Sequence, residues 1–109
     1  MNIDLTPAAQ TQVELFRDID TVENGFLIGT VMGKHIIITE LLTANFNEKN
    51  IDEIYHKMVD KMGDQVIGVF FNNREPFLSE WFLEDVIMTI NPQTEHPVCY
   101  VCEFEKEAI

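Results

Sequence analysis

The stretch Gly25-Phe26-Leu27-Ile28-Gly29-Thr30-Val31-Met32-Gly33-Lys34-His35-Ile36-Ile37-Ile38-Thr39-Glu40-Leu41-Leu42 decides how this chain is built. Two runs rich in β-branched and aromatic residues flank Gly33-Lys34, and a two-residue reversal between such runs is the mark of an antiparallel hairpin. Strands are therefore expected over 25–32 and 35–42, with the other elements arranged around them.

Upstream, Asn2 to Leu5 reads as a short strand. Thr6-Pro7 supplies an N-cap and a first-turn proline for a helix running to about Asp18, with Ala9, Val13 and Phe16 on one face. Downstream, Asn50 to Glu53 has capping-box form ahead of Ile54, Met58 and Met62, which predicts a helix over 51–62 that stops at Gly63. Gln65 to Phe71 is a continuous apolar strand, followed by a loop from Asn72 to Pro76. Ser79 can cap a third helix carrying Phe82, Leu83, Val86, Ile87 and Ile90, ended by Asn91-Pro92. A last strand covers about 97–104, and residues 106–109 form a frayed tail. The expected fold is α/β in the α+β sense: a mixed, largely antiparallel sheet packed with about three helices.

A length of 109 residues suits one domain, here residues 1–105. Nearly half the residues (46%) are hydrophobic, with eight Phe, so the chain carries enough apolar surface to fold by itself. Seven Lys and Arg against nineteen Asp and Glu leave a net charge of −12, which repels phosphate backbones and anionic lipid headgroups. Neither nucleic acid nor a membrane is the expected partner. No apolar run approaches the roughly 20 residues needed to cross a bilayer, and Met1-Asn2-Ile3-Asp4 is not a basic stretch ahead of an apolar one. A cytoplasmic location is the expectation.

Cys99 and Cys102 have CxxC spacing. They fall in Pro97-Val98-Cys99-Tyr100-Val101-Cys102-Glu103-Phe104, a run of β-formers in which an i, i+3 pair points to opposite faces. Redox pairs sit where a loop enters a helix, and a zinc site needs about four ligands. Two thiols in a buried strand are the plainer reading. His35, His56 and His96 share no ligand spacing and read as surface or boundary residues.

The element order, with Glu23-Asn24-Gly25-Phe26-Leu27-Ile28-Gly29 and Val66-Ile67-Gly68-Val69-Phe70-Phe71, resembles the JAB/MPN domain, the fold of metal-dependent deubiquitinating isopeptidases. The resemblance implies a cytidine deaminase-like three-layer arrangement. It also implies two ligand histidines where this chain has Phe71 and Asn73, and a ligand aspartate where Ser79-Glu80-Trp81-Phe82 puts Phe82. A phenyl ring has no lone pair for zinc, and an amide is a poor ligand. Asp85 lies elsewhere along the expected helix. Of the family's catalytic set only Glu23, matching the acid/base glutamate, and Ser79, matching the oxyanion-stabilising serine, remain, and a base with no metal-activated water has nothing to deprotonate. Each also has a duller role, Glu23 as a solvated glutamate and Ser79 as a helix cap.

The expectation is a metal-free, cofactor-free, non-catalytic module, a pseudoenzyme lacking the JAMM motif, that binds a protein partner or itself, with a homodimer as one form. Asn72, Asn73, Arg74, Phe77 and Trp81 are the binding candidates, since aromatic and arginine residues anchor interfaces when exposed. Asn72 and Asn73 also suit a turn, and Trp81 also suits the core. The alternative is a hydrolase or metal protein with a relocated site built from Glu23, Glu84, Asp85 or the Cys99/Cys102 pair. A small-molecule or ubiquitin-tail cleft where the active site would lie is a third reading.

Overall fold

The computed structural model describes residues 2–77, 82, 85–94 and 96–101, and in it the hairpin forms the middle of a six-stranded sheet. The elements are β1 (Asn2–Leu5), α1 (Pro7–Arg17), β2 (Asn24–Met32), β3 (His35–Thr43), α2 (Ile51–Met62), β4 (Val66–Asn72), β5 (Val86–Ile90) and β6 (Val98–Val101), with a 3-10 turn at Gly63–Gln65. In space the strands run β1-β3-β2-β4-β5-β6. The pairs β1–β3 and β4–β5 are parallel and the other neighbours antiparallel.

Local chemistry fixes several boundaries where the sequence puts them. The Thr6 hydroxyl accepts from the Ala9 N–H at 3.2 Å and Pro7 opens α1. Gly33, at φ 60°, closes the hairpin, and Gly63, at φ 59°, ends α2. The expected capping box does not form: the Asn50 side chain accepts from the Asn47 N–H at 2.7 Å instead of capping α2. Asp52 and Glu53 in the first turn still favour that helix end by their charge.

The expectation of about three helices is overturned. Among the described residues there are two α-helices, and Val86 to Ile90, assigned from the sequence to a third helix, is strand β5, paired in parallel with Gly68 to Asn72. Val86, Met88 and Ile90 face the α1 side and Ile87 faces the other, all of them buried. A strand covered on both faces shows a continuous apolar run with no alternation, and such a run imitates a buried helix. The three-layer arrangement implied by the JAB/MPN resemblance is replaced by a small α+β architecture whose sheet curls almost into a barrel. Ser79, Trp81, Leu83, Glu84, Cys102 and the tail 106–109 lie outside the described residues.

Two bulges drive the curl. The β2–β3 register jumps between Ile28↔Glu40 and Gly29↔Ile38, leaving Thr39 extra. The β2–β4 register jumps between Leu27↔Gly68 and Ile28↔Val66, leaving Ile67 extra. Each extra residue flips the facing of its strand and adds twist. Ile36, Ile38 and Leu41 therefore all face inward although their spacing is uneven. The inner face closes on α1, with Ala9 and Val13 packed against Leu27, Ile38, Phe70 and Met88. The outer face carries an aromatic core of Phe26, Phe46, Phe71 and Phe82, covered by Ile51, Ile54, Tyr55 and Met58 of α2.

Candidate functional site

Among the described residues the sheet does not close on itself: β1 pairs only with β3 and β6 only with β5. The N–H groups of Asn2 and Thr6 donate to the carbonyls of Lys34 and Ile38 at 2.9 and 3.0 Å. Backbone groups alternate sides along a strand, so those of Ile3 and Leu5 point away from β3, into the gap. The strand directions make β6 antiparallel to β1 across this seam.

The seam is a cleft of about 540 Å³. Ile3 and Leu5 form one wall, Pro97 and Cys99 the other, and α1 supplies the floor through Val13, Glu14 and Arg17. Asp4, whose carboxylate lies 2.5 Å from the His35 ring, stands at one rim, and Glu14 is exposed at the mouth. Burial pushes the Cys99 thiol up to about 11, so it stays protonated at neutral pH and is no nucleophile. The outer faces of β6, Val98 and Tyr100, are 55% and 41% exposed. The cleft thus offers backbone donors and acceptors, apolar side chains from both strands, and the polar groups of Asp4, Gln10, Glu14, Arg17 and His96.

Several of the residues singled out in the sequence, Glu23, Phe71, Asn72, Asn73 and Arg74, gather at another end of the sheet. Asn24 of β2 is partnered with Phe71 of β4, which brings Glu23 beside the end of β4, and the Asn72 N–H donates to the Glu23 carbonyl at 2.9 Å. Glu23 forms a 2.9 Å ion pair with Arg74, both about half exposed, a pairing worth less than about 1 kcal/mol. Phe71 and Phe82, which stand where the resemblance expects metal ligands, pack edge to face within the aromatic core, at 1% and 0% exposure. Phe77 packs on the same core, 5.4 Å from Phe71 between ring centroids. Asn73 is exposed, in the left-handed region at φ 56°, with its N–H on the Ile90 carbonyl.

Asn72 is buried, and its amide donates to the carbonyls of Phe16 and Val22 at 2.7 and 2.8 Å, tying β4 to the turn after α1. Asn24 holds the Phe46 backbone, and Asn45 accepts from the Glu23 N–H. Asn72, read from the sequence as a turn former, acts here as a stitch between segments, which only its cross-chain partners reveal, whereas Asn73 does take the left-handed backbone of a turn.

Asp85 lies on the aromatic side, where the Tyr55 hydroxyl donates to its carboxylate at 2.8 Å. Burial raises Asp85 to about 6, an effect the Tyr55 hydrogen bond only partly offsets, and burial also raises Tyr55, which stays a donor. Because the folded pKa exceeds the unfolded one, near 3.9, the fold binds the proton more tightly, and this contribution to stability is lost as pH rises from about 4 to about 6. Asp85→Asn should flatten that part of the melting profile and stabilise the protein at pH 7 by about 1–2 kcal/mol, allowing for partial exposure. Parallel wild-type and variant profiles over this window would disprove it.

Among the described residues no three His, Cys, Asp or Glu side chains converge in a way that could hold a metal ion. No protein-family model matches the chain, and no curated protein matches it. No helix among the described residues is long and apolar enough to cross a membrane.

Proposed function

We propose that this domain is a protein-binding module without catalytic chemistry of its own, acting in the cytoplasm, where Cys99 remains a free thiol. The observation that carries the reading is the seam, where two strand edges of opposite direction flank one cleft. Exposed edges are templates for another chain, and proteins that do not use them shield them with charge, proline or a covering element. Here β6 presents Val98-Cys99-Tyr100-Val101 without a charge, with Pro97 ahead of its first residue and Asp4 on β1 opposite. Of the acids singled out in the sequence, Asp85 accepts from Tyr55 and Glu23 pairs with Arg74.

A photo-crosslinking amino acid placed at Asn2 or Tyr100, which border the seam, and at Lys57 on α2, tests this. Defined protein adducts are expected from the seam positions and not from position 57. Equal labelling from all three, or none from the seam, would remove the reading.

A further inference from the structure

Resting on that reading, we propose that the seam takes an extended, basic segment of a partner protein as an added strand, with apolar side chains toward α1 and Lys or Arg between them.

The backbone of Ile3 and Leu5 faces the gap from one side, and the edge of β6 that has no strand partner among the described residues faces it from the other. A partner backbone can match the N–H and C=O groups of both edges, whereas a compact small molecule leaves most of them without protein partners. Since β1 and β6 run in opposite directions, any entering strand is parallel to one and antiparallel to the other, and both pairings already occur in this sheet. On the inner side Ile3, Leu5, Val13 and Cys99 form an apolar strip beside the polar Gln10, Glu14 and Arg17 of α1, and that strip selects apolar residues at every second position of the occupant.

Charge selects the rest. Asp4 lies at the rim and Glu14 at the mouth, against Arg17 deeper along α1, and the whole chain carries −12. That field draws in a cationic segment and opposes a second copy of this acidic chain. Association through the seam by a homodimer would have to overcome it.

The test uses the full chain and synthetic peptides of about six residues, a common strand length. Backbone amide NMR shifts are followed with Lys-Val-Lys-Val-Lys-Val, with Glu-Val-Glu-Val-Glu-Val, and with the lysine peptide N-methylated at alternate positions. The lysine peptide is expected to shift the amides of Ile3, Leu5 and Cys99. The glutamate peptide should bind about tenfold or more weakly, and N-methylation in either phase should weaken binding, since each phase removes the donors toward one edge. Glu14→Lys, an exposed change, should narrow or reverse the preference between the two peptides.

Equal affinity for both peptides at the same amides would overturn the basic segment while leaving the seam as the binding site. Shifts confined to other surfaces would overturn the added strand, and the absence of seam crosslinks as well would remove the wider reading. Sedimentation should show a monomer, and a dimer whose contacts map to the seam would overturn the proposal in favour of a second copy.

Discussion

Phe46→Ala is expected to lose about 3–5 kcal/mol of folding stability, a large share of the roughly 5–15 kcal/mol typical of a whole domain. Phe46 comes from the loop between β3 and α2, is 2% exposed, and reaches four rings: Phe26 at 5.4 Å, Phe77 at 5.7 Å, Phe71 at 5.9 Å and Phe82 at 6.1 Å between centroids. Its backbone is gripped on both sides by Asn24, which accepts from its N–H at 2.7 Å and donates to its carbonyl at 2.8 Å. The surroundings therefore cannot follow a shortened side chain inward, and a cavity remains. Urea unfolding monitored by far-ultraviolet dichroism gives the difference directly. A loss under about 1 kcal/mol would mean that the aromatic core collapses freely around the gap.

The second large effect should come from Gly68→Ala, the addition of one methyl group. A Cβ at Gly68 would lie 2.1 Å from the Val86 carbonyl oxygen and within 3 Å of its carbonyl carbon and nitrogen, all backbone atoms of the neighbouring strand. Gly68 and Val86 are register partners, so β4 and β5 would have to separate where the parallel ladder begins. The expected cost is about 3 kcal/mol or more, the upper end of overpacking effects. Gly63 differs in cause: it has open space around it, and the cost of Gly63→Ala, about 1–3 kcal/mol, comes from backbone strain at φ 59° and ψ −135° rather than from a clash. A loss under about 1 kcal/mol for Gly68→Ala would refute the steric account.

Much of the fold was legible wherever a local signal decided the structure. Thr6-Pro7, Gly33-Lys34 and Gly63 mark boundaries through caps and turns that depend on neighbours in sequence, and α1, the hairpin and α2 follow them. Val86 to Ile90 was not legible, because burial on both faces erases the alternation that separates strand from helix. The bulges at Thr39 and Ile67 were also hidden, since an extra residue in an apolar run changes no pattern until the partner strand is known. Of the sites, the cluster of Glu23 with Asn72, Asn73 and Arg74 could be suspected from residue types alone. The seam could not, since it joins the first and last strands and exists only once the order β1-β3-β2-β4-β5-β6 is set.

The opposed directions of the two flanking strands also point the start of β1 and the end of β6 toward the same end of the sheet. The molecule is thus suited to circular permutation: a short flexible joint between the strands that now begin and end the sheet, with new termini cut at the exposed Gly33-Lys34 turn, should preserve the packing.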